Sequence, residues 1–209
     1  MVTNTFFKDF MNSQQKFLSI QGRITAESFQ QSCIENGINP HQAVFIFPGN
    51  ISHHGAYHTL YSKKYGGGLG IPAGELGELG IAVLSIPTTG MSIVDNEKHI
   101  PPLAITAIAD IWKAIGFGMS IVLPVRKPSG IKFFINTFND GTEPSFWGEN
   151  ERTPNVKLAE YYLKQLSFIQ DFLQGEKQAP PEEFNDAFKL GREMQLQVSN
   201  NLTADAWFK

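Results

Sequence analysis

A glycine-rich stretch at residues 63–78 has the residue types best suited to binding a ligand through the backbone. Six of its residues are glycine, and Gly66, Gly67 and Gly68 are consecutive. Glycine adopts positive φ without strain and lets the chain approach a ligand closely. Unobstructed N–H groups ahead of a helix bind anions, because the orphan donors and the positive end of the helix dipole act together. We therefore predict that a phosphate is bound by Gly66, Gly67, Gly68, Leu69 and Gly70.

Two glutamates follow the glycines, on a short helix predicted over residues 73–79. Glu75 and Glu78 are three residues apart, a spacing that places both side chains on one helix face. A carboxylate beside an anionic ligand can accept a ribose hydroxyl or position a water molecule, so both are candidate catalytic residues. The alternative is that they lie in the first turn of the helix and complement its dipole.

Three histidines, His53, His54 and His58, precede the glycines. On a helix, His54 and His58 would lie one turn apart, a spacing found in metal sites. No HExxH, CxxC or Asp-rich motif accompanies them, and we therefore expect neither a metal nor a cofactor. An imidazole titrates near neutral pH, which makes His54 a third candidate acid or base.

Polar turns follow three apolar runs, residues 43–47, 81–86 and 119–123, which we predict to be buried parallel strands. Ligands of open α/β sheets bind at the carboxyl ends of the strands. The candidate ligand-binding residues at these turns are Asn50, Ser52, Thr88, Thr89 and Arg126. A fourth predicted strand, residues 132–138, leads into an aromatic loop where Phe146 and Trp147 either stack on a base or ribose or pack into the core.

The alternation of helices and strands predicts an α/β fold. We expect a three-layer α/β/α sandwich with a mainly parallel or mixed sheet, followed by a helical C-terminal extension. The extension contains a final helix that begins at the Pro-Pro-Glu-Glu run of residues 180–183. We divide the chain into an α/β domain at residues 1–175 and a helical extension at 176–209 that packs on the same domain.

Composition limits the classes of partner. The chain has 209 residues, 42% of them hydrophobic, and a formal net charge of −3, so it has no bulk attraction for nucleic acid. No apolar run reaches the ~18 residues of a membrane span. The N-terminus lacks a secretory signal, and a single cysteine, Cys33, fits a reducing compartment. We expect a cytoplasmic protein without a membrane or nucleic-acid partner.

Residues 64–68, Lys-Tyr-Gly-Gly-Gly, with Glu75 and Glu78 downstream, resemble the triple-glycine loop and glutamate pair of poly(ADP-ribose) glycohydrolases. These enzymes belong to the macrodomain superfamily. The resemblance covers residues 43–126, and the turn at Asn50 and the run over residues 103–124 are similar to the order of parts in macrodomains. This chain has Gly77-Glu78 where the family has adjacent glutamates.

The resemblance implies that residues 1–175 form a macrodomain-like domain that binds ADP-ribose or a related nucleotide diphosphate. Asn50 would contact the distal ribose, Gly66 to Gly70 would bind the diphosphate, and Glu78 or Glu75 would act as the acid. An ADP-ribosylated protein is then an expected partner. The implied activity is hydrolysis of an ADP-ribosyl linkage, and the departure at Gly77 leaves open whether the chain is an enzyme.

Other functions remain as alternatives. Residues 65–68, Tyr-Gly-Gly-Gly, also resemble a stretch of lysine-decarboxylase-like (LOG) nucleotide phosphoribohydrolases, whose second signature, Pro-Gly-Gly, is replaced here by Pro124-Val125-Arg126. A non-catalytic ADP-ribose reader and a protein-interaction module complete the set. The acidic, proline-containing stretch near the C-terminus indicates an alternative to the cytoplasm, namely export into a host cell as a bacterial effector.

Overall fold

The computed structural model describes residues 14–21, 24–50, 70–89, 94, 96, 99–125, 137–138, 143–144 and 155–199. The strands are β1 (Phe17–Gln21), β2 (Ala43–Asn50), β3 (Ala82–Thr89), β4 (Ser120–Val125), β5 (Thr137–Phe138) and β6 (Glu143–Pro144). The α-helices are α1 (Ala26–Glu35), α2 (Gly70–Glu78), α3 (Pro102–Phe117), α4 (Val156–Leu173) and α5 (Asn185–Ser199). Single 3₁₀ turns are formed by Pro40–Gln42 and Glu182–Phe184.

Four strands form a parallel sheet in the order β1-β4-β2-β3. Val44 of β2 lies opposite Ala82 of β3 on one side and Ile121 of β4 on the other. β5 and β6 pair separately and antiparallel. Since parallel strands need crossover connections, α1 to α3 join successive strands of the main sheet. The predicted α/β fold with a mainly parallel sheet is confirmed.

One face of the sheet packs against α1 and α2. Alternate residues of a strand point to opposite faces, and Phe45 and Phe47 of β2 share a buried cluster with Phe29 of α1 and Leu76 of α2. The Phe45 ring meets the Phe29 ring edge-on at 5.7 Å between centroids and stacks on Phe47 at 5.9 Å. These rings form the core between the sheet and its first helical layer.

The other face packs against α3 and α4. Val44 and Ile46 of β2 lie in a second buried cluster with Trp112 of α3 and Tyr162 of α4. The Trp112 ring meets the Phe172 ring of α4 edge-on at 5.2 Å. Helices thus cover both faces of the sheet, as the three-layer prediction requires. No helix in the described part of the chain has the length and apolar character needed to cross a membrane.

Two glycines let α5 pack directly on α3. A Cβ atom built on Gly191 of α5 would lie 2.0 Å from the carbonyl oxygen of Lys113, and one built on Gly116 of α3 would lie 2.1 Å from the carbonyl oxygen of Phe188. The two backbones are therefore in contact where the helices cross. Phe188 also places its ring 6.3 Å from that of Trp112, so α5 joins the aromatic cluster of the second layer.

Replacing Gly191 by alanine is expected to destabilise the protein, although alanine is the better helix former by about 1 kcal/mol. The added Cβ would overlap the Lys113 carbonyl group and force α5 away from α3. Overpacking of this kind costs about 1–3 kcal/mol, which urea unfolding would measure.

The matched control is Glu193→Ala, at an exposed position of the same helix. It should stay within about 0.5 kcal/mol of the wild-type free energy of unfolding. Equal stability of Gly191→Ala and wild type would contradict the close helix crossing.

Candidate functional site

The carboxyl ends of four strands meet at one edge of the sheet, because all four strands are parallel. β2 is followed by α2 on one face, and β4 is followed in the second layer by α4 on the other face. β4 and β2 are neighbours, and the next helix in the sequence after β4 packs on the opposite face from the next helix after β2. Ligands of open α/β sheets bind in the crevice that forms at such a point. We call this side of the sheet the carboxyl edge.

The N-terminus of α2 lies at the carboxyl edge. α2 begins at Gly70 and ends at Glu78, and a short turn joins it to β3 at Ala82. In that turn Gly80 has φ +74°, and the N–H of Ile81 donates to the carbonyl of Leu76 at 3.0 Å. The helix end therefore adjoins the beginning of β3, and α2 runs back along the sheet from the carboxyl edge.

The structure separates Glu78 from the start of α2. Because the helix begins at Gly70, three residues earlier than predicted, Glu78 is its last residue, about 12 Å along the axis at 1.5 Å per residue. Glu75 lies about one turn closer to Gly70, and both glutamates are exposed. Glu75 is therefore the nearer of the two to the start of the helix, and the closeness of either glutamate to the anion site stays a prediction. The alternative of first-turn acids is wrong, because the first turn of α2 contains no acidic residue.

The ends of β2 and β3 bring three of the predicted residues together. The register shifts at Gly49 and Asn50, so Gly49 pairs with Pro87 and Asn50 pairs with Thr89. The Thr88 side chain is buried, and its hydroxyl donates to the carbonyl of Gly49 at 3.2 Å. Asn50, Thr88 and Thr89 are thus neighbours at the carboxyl edge, as the positions of their strands in the sequence predicted.

The remaining candidates lie outside the described residues. They are His54, Ser52, Gly66, Gly67, Gly68, Leu69, Arg126, Phe146 and Trp147. In the sequence, Leu69 directly precedes the first residue of α2, and Arg126 directly follows the last residue of β4.

Two buried polar residues, one in α4 and one directly before it, contact the end of β3 and the chain beyond it, and the sequence analysis did not single them out. The hydroxyl of Tyr162 donates to the carbonyl of Pro87 at 2.9 Å. The side-chain oxygen of Asn155, the residue before α4, accepts the N–H of Val94 at 3.1 Å. A tyrosine on the apolar stripe of a helix was the available signal, because a buried hydroxyl requires a partner.

The tyrosines of α4 are not suited to acid–base chemistry. Burial raises the pKa of Tyr162 well above its usual value, and the neighbouring Tyr161 adds to this shift. Burial, and then the negative charge of Glu183, raise the pKa of Tyr161 as well. Both hydroxyl groups stay protonated at neutral pH. Tyr162 is therefore a hydrogen-bond donor to Pro87.

Within the described ranges, no three or more His, Cys, Asp or Glu side chains lie close enough together to hold a metal ion.

The chain matches no protein-family model, no curated protein and no solved structure in the three comparisons made. The assignment of a function therefore depends on the geometry of the carboxyl edge.

We expect Cys33 to be unreactive in the folded protein. Its side chain is fully buried in the first helical layer, and burial raises its pKa to about 12. The native protein should leave an aromatic disulfide reagent unconsumed at pH 8, and the urea-unfolded chain should react with one equivalent. Rapid reaction of the native protein would contradict the burial, and Cys33→Ser is the blank for both states.

The same shift gives a pH dependence of stability. The folded-state pKa lies above the unfolded value of about 9, so the unfolded chain loses the thiol proton first as pH rises. The contribution of Cys33 to stability is therefore complete below pH 9 and is lost between about pH 9 and pH 12. Urea unfolding of wild type and Cys33→Ser across this range would measure it, and parallel pH profiles of the two proteins would contradict it.

Proposed function

We propose that this protein binds ADP-ribose, or a related nucleotide diphosphate, at the carboxyl edge of its sheet. The observation that supports this most is the start of α2 at Gly70, which lies at that edge and comes two residues after the last of three consecutive glycines in the sequence. The first N–H groups of a helix have no partner within the helix, so they are available to an anion. The diphosphate is the part of the ligand that this terminus would bind.

The charge distribution along α2 supports the same orientation. Its first turn has no acidic residue, so no side-chain carboxylate of that turn competes with a phosphate for the positive end of the dipole. Its carboxylates, Glu75 and Glu78, lie in the later turns. Asn50 pairs with Thr89 at the neighbouring ends of β2 and β3, and we assign these two residues to the sugar part of the ligand.

Isothermal titration calorimetry with ADP-ribose tests the proposal, and a pair of charge-introducing variants locates the site. Gly70→Glu adds a carboxylate at the start of α2, and Leu79→Glu adds the same charge just beyond its other end, at a half-exposed position. We expect Gly70→Glu to weaken binding at least about tenfold through repulsion of the diphosphate, and Leu79→Glu to leave the Kd within about twofold.

Two results would contradict the proposal. Absence of heat with wild-type protein at millimolar ADP-ribose would exclude nucleotide binding. Equal losses of affinity in Gly70→Glu and Leu79→Glu would show that the diphosphate does not bind at the start of α2. Circular dichroism of both variants provides the folding control. A glutamate at position 70 interacts favourably with the positive end of the helix dipole, so the Gly70→Glu substitution should not unfold α2.

Hydrolysis of an ADP-ribosyl linkage is the second candidate function. For this reaction the position of Glu75 makes Glu75, and not Glu78, the better candidate for the catalytic acid. Glu75 is exposed and lies one turn nearer the start of α2. Release of ADP-ribose from an ADP-ribosylated protein, followed by chromatography, measures this activity. We expect Glu75→Gln to reduce turnover at least about a hundredfold and Glu78→Gln to leave it unchanged. A larger loss in Glu78→Gln would contradict this assignment.

A further inference from the structure

Hydrogen bonds connect α4 in one outer layer to the end of β2 through the end of β3. The Tyr162 hydroxyl donates to the Pro87 carbonyl at 2.9 Å, and one residue later the Thr88 hydroxyl donates to the Gly49 carbonyl at 3.2 Å. Tyr162 is fully buried and Thr88 is 4% exposed. Both bonds are therefore shielded from water, which makes the loss of either partner costly.

The register shift between β2 and β3 explains why the Tyr162 hydrogen bond is important at this point. Gly49 pairs with Pro87 and Asn50 pairs with Thr89, so the regular pairing of β2 with β3 is interrupted at Thr88. An interrupted ladder leaves backbone groups in need of other partners. The Tyr162 hydroxyl satisfies the Pro87 carbonyl just before the interruption, and the Thr88 hydroxyl satisfies Gly49 across it.

A second bond from the start of α4 holds the chain beyond β3. Asn155 is fully buried and accepts the N–H of Val94 at 3.1 Å. Asn155 and Tyr162 are seven residues apart, which is close to two helical turns and places them on the same side of α4. This side of α4 therefore contacts the chain twice, once near the end of β3 at Pro87 and once beyond β3 at Val94.

We propose that Tyr162 is a positioning residue for the nucleotide site, acting through the end of β3. Its hydroxyl fixes the Pro87 carbonyl and so holds Thr88 and Thr89 beside Asn50 at the carboxyl edge. This inference rests on the proposed function for its ligand. The positioning itself is a property of the protein alone, and it can be measured without a ligand.

The adjacent tyrosine provides a matched control. The ring centroids of Tyr161 and Tyr162 are 5.6 Å apart. The buried hydroxyl of Tyr161 has no hydrogen-bond partner among the described residues. Tyr162→Phe and Tyr161→Phe each remove one oxygen atom from α4 and leave the ring in place. Only the first removes a bond to β3.

The experiment measures two quantities for wild type and both variants: the Kd for ADP-ribose by calorimetry, and the amide hydrogen exchange of Thr88 and Thr89 without ligand. We expect Tyr162→Phe to raise the Kd about fivefold and to speed amide exchange at both threonines by a similar factor, as the loss of one hydrogen bond implies. Tyr161→Phe should leave both quantities at wild-type values.

A general loss of stability is separated from positioning by Gly191→Ala. Gly191 contacts α3 at Lys113, close to the C-terminus of that helix. This end of α3 leads into the beginning of β4, so it is far from the carboxyl ends of the strands. The Gly191→Ala substitution should lower the unfolding temperature without changing the Kd for ADP-ribose or the amide exchange at Thr88 and Thr89. A change in the Kd of this variant equal to that of Tyr162→Phe would overturn the inference.

The failure of the proposed function and the failure of the inference give different results. If wild-type protein binds ADP-ribose and Tyr162→Phe binds it equally well, the inference is overturned and the proposed function stands. If wild-type protein gives no heat, the proposed function fails, and the role of Tyr162 at a nucleotide site fails with it. Unchanged exchange at Thr88 and Thr89 in Tyr162→Phe would overturn the positioning in either case.

Discussion

Burial of the central strands on both faces is the constraint on which the rest of the structure depends. Phe45 of β2 and Val122 of β4 pack under one pair of helices, while Val44 and Ile121 pack under the other. A sheet that is apolar on both faces requires helices on both sides, and here α1, α2 and α3 are also the crossover connections that parallel strands need. Parallel strands then bring every carboxyl end to one edge. The position of the candidate site is therefore a consequence of how the core is buried.

The direction of α2 turns this edge into a candidate anion site. The helix is joined closely to the beginning of β3, so its C-terminus is fixed at one edge and its N-terminus at the other. The N–H groups of its first turn, which have no partner within the helix, are thus brought to the carboxyl edge, and Glu78 is kept away from it. α4 contributes from the second layer, since Tyr162 bonds to Pro87 near the end of β3 and Asn155 bonds to Val94 beyond it. The edge is built from one helix terminus and two strand ends that a third element holds in place.

The sequence predicted those parts of the fold that depend on local hydrophobic pattern. The runs at 43–47, 81–86 and 119–123 are present as β2, β3 and β4, each beginning within one residue of the predicted start, because an apolar run specifies a buried strand. The start of α2 was misplaced by three residues, because glycines weaken the helical pattern and obscure where a helix begins. The contact of Tyr162 with Pro87 joins residues 75 positions apart, and such a pairing depends on tertiary packing that no local pattern encodes.

A crystal structure of the protein with ADP-ribose would test the central claim most directly. The account predicts that the diphosphate lies at the start of α2, with phosphate oxygens within about 3 Å of the N–H groups of its first turn, and with the sugar beside the ends of β2 and β3. A nucleotide bound at the opposite edge, near the turn between α2 and β3, or on the outer surface of α4 or α5, would contradict it.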